Sequence, residues 1–188
     1  MPLNGKMYAV GAGGTDTLQE YDPSTNTWVY KTPMQNARNW SAAVAFNDNI
    51  FIIGGLIGGS GTRVVEAYNP ISNTWTSKPE LKSNTRRMGG AAVINNRIYL
   101  TGGYYASIEM YDPNINYWMP IGKLPTKMDG GDAAYVNGKL YVIDSTSFRQ
   151  GTLSGFIDAT PTISEMPDIS VDSNDNAHIF WWDGRYYK

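Results

Sequence analysis

Apolar residues come in short runs of about five, each cut by turn-forming residues before a helical face is completed. SAAVAF (41–46) and IFII (50–53) flank Asn47-Asp48, and GGAAVI (89–94) and RIYLT (97–101) flank Asn95-Asn96. GDAAYV (131–136) and KLYVI (139–143) flank Asn137-Gly138, and KMYAV (6–10) follows Asn4-Gly5. Asparagine, aspartate and glycine supply the positive φ angles of a tight hairpin turn, so each pair of runs predicts two antiparallel strands. The second strand runs into glycines: Gly11 with Gly13-Gly14, Gly54-Gly55 and Gly102-Gly103. In the fourth copy Asp144-Ser145 stands there instead. A third strand ends at YDP (21–23), YNP (68–70) and YDP (111–113), because proline cannot continue a ladder. A fourth strand carries Trp28, Trp75 and Trp118.

The aromatics Tyr8, Phe51, Tyr99 and Tyr141 mark copies spaced about 42–48 residues apart. Regularly spaced short strands define a sandwich, a barrel or a propeller, and four strands in a unit of this length favour the propeller. Small-apolar strand, aromatic plus Gly-Gly, Tyr-Asp-Pro, then Trp: this order resembles the kelch repeat, clearly over residues 4–145. The resemblance implies an all-β, kelch-type β-propeller of four-stranded antiparallel blades. About four blades are expected, as a small ring or part of a larger one. They are expected near residues 4–33, 38–80, 86–123 and, in degenerate form, 129–167, with a partial blade or closing strands at 168–188.

Blade 4 is expected to carry its outer strands at 154–159 and 162–166. Blade 1 has no small-apolar first strand, and 168–172 or 177–182 are candidates to supply it. The chain then reads as a small closed ring, a fragment of a larger one, or a half completed by another copy. A start just before a second strand and an end inside a Tyr-rich strand favour the last two. First strands crowd around a propeller axis, which suits Ala42-Ala43, Gly89-Gly90 and Gly130-Gly131. The recurring Tyr and Trp are expected to fill the space between blades, where large flat side chains bury the most area.

Composition narrows the function. Among 188 residues there is no cysteine, which excludes disulfides, thiolate metal sites and a cysteine nucleophile. A net charge of −2 gives no electrostatic footprint for nucleic acid. No apolar run approaches the length of a membrane span, so membrane insertion is not expected. Met1–Lys6 lacks the apolar core of a signal peptide. The compartment stays open.

No catalytic constellation emerges. The single histidine, His178, lies in the strand-like AHIFWW (177–182) and reads as structural. One His and no Cys exclude the copper chemistry of oxidases that share the kelch fold. Asp22, Asp112, Glu66 and Glu109 recur with the repeat, which argues for a shared structural role such as capping turns. Asp129, Asp132 and Asp144 are the carboxylates nearest the expected axis, and nothing pairs them. Asp172, Asn174, Asn176 and Asp183 match part of a calcium-loop spacing, but Ala177 replaces its glycine and a hairpin turn reads better. The glycine-rich GAGG (11–14) and GGLIGGSG (54–61) have no following helix and no P-loop lysine. No enzyme, no cofactor and no metal are expected.

Binding is the better expectation. In a meander the loop entering the first strand and the loop leaving the second lie on one face. In kelch proteins that face usually holds the partner. The entering loops are MQNARNW (34–40), LKSNTRRM (81–88) and LPTKMD (124–129); the leaving loops are LIGGSGTR (56–63), YYAS (104–107) and STSFRQ (145–150). Unlike the strands they do not repeat, and variable loops on a rigid scaffold carry function. The candidate contacts are Arg38, Asn39, Trp40, Arg63, Arg86, Arg87, Tyr104, Tyr105, Lys127 and Arg149, with Phe148 beside the last. Arginine and aromatics dominate interaction hot spots. The expected partner is a protein or peptide, acidic in character, bound by a non-enzymatic scaffold. Two alternatives stand beside it: an extracellular carbohydrate-binding or carbohydrate-processing propeller, and a module that self-associates through open blade edges.

Overall fold

The computed structural model describes residues 1–83, 89–103, 105–124, 127, 131–137, 139–144, 148–152, 155–159, 167–171 and 177–181, with side chains as far as residue 143. Apart from one 3-10 turn at Ala12–Gly14, the regular structure there is all β. Blade 1 comprises β1 (Pro2–Leu3), β2 (Lys6–Val10), β3 (Leu18–Asp22) and β4 (Thr27–Lys31). Blade 2 comprises β5 (Ala42–Phe46), β6 (Asn49–Ile53), β9 (Val65–Asn69) and β10 (Thr74–Lys78). Its β6–β9 connection carries a small hairpin, β7 (Leu56–Ile57) and β8 (Ser60–Gly61). Blade 3 is β11 (Gly89–Ile94), β12 (Arg97–Gly102), β13 (Ser107–Asp112) and β14 (Tyr117–Lys123). Blade 4 is β15 (Gly131–Val136), β16 (Lys139–Asp144), β17 (Phe148–Thr152) and β18 (Gly155–Ala159). A last pair, β19 (Pro167–Val171) and β20 (Ala177–Trp181), forms its own two-stranded sheet. All strand pairing among the described residues is antiparallel.

The turns form for the reasons the sequence gives. Asn47-Asp48 and Asn95-Asn96 both take positive φ, as do Asn4-Gly5. At the outer turns Asp22, Asn69 and Asp112 each accept a backbone N–H two residues on, at 2.9 Å. Asn26, Asn73 and Asn116, also at positive φ, accept the hydroxyls of Tyr21, Tyr68 and Tyr111 at 2.9, 2.8 and 2.7 Å. The repeated Asp positions are thus turn caps.

Two expectations change. The innermost strand of blade 1 is β1, from the N-terminal residues, and not a C-terminal strand. β19 instead packs beside β15, as β15 does beside β11 and β11 beside β5, so the β19–β20 pair takes the place of a fifth blade's first two strands. In blade 4 the third strand is β17 and the fourth β18, so Phe148 and Arg149 belong to a strand and not to a leaving loop. Residues 162–166 lie outside the described residues. The glycine pair that punctuates the other copies is missing there, so the strand start carried no signal.

Apolar layers lie between the blades. Tyr8, Leu18 and Met34 meet Ile50, Ile52 and Tyr68 between blades 1 and 2. Phe46, Phe51, Ile53 and Leu81 meet Ile98, Leu100, Tyr111 and Trp118 between blades 2 and 3. Each of the three Tyr–Trp pairs packs across its own blade with centroids 5.1–5.3 Å apart.

Candidate functional site

The linker between blades is pinned in the same way three times. Met34, Leu81 and Leu124 are buried plugs. Each donates its backbone N–H to a carbonyl of the preceding blade's leaving loop: Asp16, Arg63 and Ala106. In the first two linkers the next residues are also held by a buried carboxylate from the third strand of the blade being entered. Glu66 accepts the Gln35 N–H at 3.1 Å and the Asn36 side chain at 3.3 Å. Glu109 accepts the N–H groups of Lys82 and Ser83 at 2.8 and 3.0 Å. Where they are described, entering and leaving loops therefore touch, and buried carboxylates hold the entering backbone.

Arg38 lies in the interior. It is fully buried, its guanidinium paired with Glu66 and donating to the Val64 carbonyl at 3.0 Å. Burial pulls its pKa down, and the Glu66 charge and hydrogen bond oppose that. Its charge is engaged inside the protein, where it holds the segment entering blade 2. The chain segment it anchors then passes over glycines. A Cβ on Gly55 would sit 2.6 Å from the Asn39 carbonyl, and one on Gly11 2.8 Å from the Arg38 carbonyl. Asn39 and Leu56 exchange backbone hydrogen bonds at 3.2 and 2.8 Å.

The remaining candidates divide. Asn39 is half-buried beside Gly14, and Trp40 is exposed. Arg63 is exposed and forms a surface ion pair with Glu80 at 3.2 Å. Tyr105 and Lys127 line a common cleft. Arg149 lies in β17 opposite Val142, the register position that Glu66 and Glu109 hold opposite Ile52 and Leu100. Arg86, Arg87 and Tyr104 lie outside the described residues, as do Asp129, Asp172, Asn174, Asn176 and Asp183.

The cleft measures about 480 Å³ and opens to solvent. Lys82 and Ser83 come from one entering loop, Tyr105, Ala106 and Ser107 from the leaving loop, Lys123 from the end of β14 and Lys127 from the next entering loop. Lys82 also stands over the Tyr117 ring, 4.2 Å from its centroid. Sequence reading missed Lys82 and Lys123 by attending to arginine, although both sit in or beside the loops it singled out. Among the described residues no cluster of acidic or histidine side chains is arranged to hold a metal.

These loops sit on repeats of a known kind. The family model for the Kelch motif matches residues 40–82 and 85–125, within blades 2 and 3. The chain is 27% identical over 178 residues to mouse Kelch-like protein 35, covering 86% of this chain and 30% of that protein. Human Kelch-like protein 23 is 33% identical over 120 residues, covering 60% and 20%. Alpha-scruin of Limulus polyphemus is 24% identical over 191 residues, covering 87% and 21%. The chain thus spans less than a third of the length of these relatives. It belongs to the kelch-repeat family, and its four-stranded sheets are β-propeller blades. Kelch-repeat proteins are generally binding scaffolds and not enzymes.

Proposed function

We propose that the chain is a protein-binding scaffold whose loop face takes an acidic peptide segment of its partner in the cleft of blade 3. The observation that carries this reading is the set of three lysines, Lys82, Lys123 and Lys127, around one open cleft with Ser83, Ser107 and Tyr105. The chain as a whole is slightly acidic, so this concentration of positive charge is local. Ammonium groups and hydroxyls suit carboxylates, and the Glu109 clamp fixes the backbone of Lys82 and Ser83 beforehand. Less conformational freedom is then lost on binding.

The test uses a fluorescent hexaglutamate peptide and measures anisotropy at low and physiological salt. Each exposed lysine–carboxylate pair is worth up to about 1 kcal/mol, so losing two weakens binding about 30-fold. The double variant Lys82→Glu, Lys123→Glu is expected to show that loss with an unchanged melting temperature. Wild-type binding is expected to weaken with added salt. Preference for a sulfated oligosaccharide over the peptide would replace this reading with the glycan one.

A further inference from the structure

The outer edge of blade 1 is unguarded. β4 ends that sheet, so one side of its backbone has no ladder partner among the described residues. Thr27, Trp28, Val29 and Tyr30 are all exposed, Tyr30 to 72%. Aromatic and β-branched residues on a free edge are a template for another strand, and such edges are normally blunted by proline, a bulge or charge. Two other outer strands are blunted. β14 contains Pro120, and its pairing with β13 shifts register between Ile108 and Glu109. β10 reads Thr-Trp-Thr-Ser-Lys, and its Trp75 indole is held by the Thr32 carbonyl. β4 pairs with β3 without a shift from Thr27 to Lys31 and holds no proline. Its one charge, Lys31, pairs with Glu20 of its own blade at 3.4 Å.

The edge is also fixed at both ends and complementary to itself. Asp22 and Asn26 cap the β3–β4 turn, and just past the other end the Asn73 side chain accepts the Thr32 N–H at 3.1 Å. Side chains alternate between faces along a strand. Trp28 and Tyr30 therefore share the face that carries Met7 and Tyr21, and Val29 the face that carries Tyr8 and Glu20. Laid antiparallel on itself about Val29, Thr27–Lys31 sets each Trp28 opposite the other copy's Tyr30 and each Lys31 opposite a threonine. Two aromatic cross-strand pairs form and no like charges meet. A pattern complementary to itself is what a two-fold interface requires.

We infer that β4 is a dimer edge: two copies of the chain pair their β4 strands antiparallel about Val29 and join two blades into one continuous sheet. The surface lies on blade 1 and the lysine cleft on blade 3, so this goes beyond the peptide-binding reading and does not depend on it.

The experiment measures mass by light scattering behind a sizing column over a dilution series. The samples are wild type, Val29→Lys, Val29→Glu and an equimolar mixture of the two variants. Val29 faces itself across the two-fold axis. Either variant alone thus sets like charges opposite each other, and the mixture sets opposite charges there. Expected are a wild-type dimer, a dimer weakened about tenfold or more in each variant, and a dimer restored in the mixture. Urea midpoints, taken where wild type is monomeric, are expected to match, because Val29 is half exposed. A variant midpoint well below wild type makes Val29 a packing residue and overturns the inference. Wild type that stays monomeric at every concentration overturns it too. A dimer that both variants keep places the contact elsewhere, and a mixture that stays monomeric removes the two-fold register; either result sinks the inference. Growth beyond two copies does the same, since it marks head-to-tail contacts that do not close.

Discussion

Arg38 and Glu66 are two charges shut away from water, and together they hold the entry to blade 2. Removing one partner of a buried pair leaves the other charge without compensation. Arg38→Met is therefore expected to cost about 3–5 kcal/mol in urea unfolding, far more than its lost packing. A loss below about 1 kcal/mol would mean that water reaches the Glu66 carboxylate. Nothing local in NARNW distinguishes this arginine from a surface one. Its partner lies 28 residues away, so its role became visible only through the fold. A second carboxylate gives a pH signature. Burial raises the pKa of Glu20, but hydrogen bonds from Lys6 and the Tyr8 hydroxyl, with the Lys31 charge, outweigh it and hold it below the ordinary value. The depressed carboxyl contributes stability that is present above its unfolded pKa and lost as pH falls through the folded one. Glu20→Gln is expected to cost about 1–2 kcal/mol at pH 7. The gap to wild type should close as pH is lowered toward 3; a gap constant with pH would show that Glu20 acts through packing alone.

The same element has different worth in different blades. Tyr21–Trp28, Tyr68–Trp75 and Tyr111–Trp118 share one geometry, and all three tyrosines cap their turn asparagine. What differs is the neighbour. Trp118 is fully buried against blade 2, and Trp75 donates its indole N–H to the Thr32 carbonyl of blade 1 at 2.8 Å. Trp28 is 52% exposed. Trp118→Ala is expected to cost about 3–5 kcal/mol and Trp28→Ala about 1 kcal/mol or less by urea unfolding, although the sequence phrases are nearly identical. Equal losses would mean that the cross-strand stack, and not the inter-blade layer, carries the energy. Strands, hairpin turns and turn caps were legible because each depends on residues close in sequence: Asn-Asn at a hairpin, proline after Tyr-Asp. β17 was not, because the fourth copy lacks those punctuating residues. Lys82 and Lys123 went unseen for a further reason. Their cleft exists only where one blade's entering loop meets another's leaving loop.

Across the whole molecule the blades form a nearest-neighbour array, each stabilised by the layer it shares with the next. Ile50 and Ile98, at equivalent positions on β6 and β12, are fully buried by the preceding blade. Their counterpart on β2, Met7, is 44% exposed, and Trp28 lies exposed on the same blade. Among the described residues blade 1 therefore shares one apolar layer where blade 3 shares two, with Phe51, Ile53 and Leu81 on one side and Leu140 and Val142 on the other. Local opening should cost least where fewest layers must separate. Amide exchange in dilute solution is thus expected to be slowest in β12 and β13 and at least about tenfold faster in β3 and β4. Repeating the measurement at high protein concentration adds the decisive comparison. If protection of β3 and β4 rises with concentration while that of β12 and β13 does not, the exposed flank is an association surface between copies. If protection is flat across the blades at every concentration, the array unfolds as one unit and the difference in shared layers has no energetic consequence. Blade-graded protection independent of concentration would place the stability of the scaffold in its inter-blade layers, with the loop face of blades 2 and 3 on its firmest part.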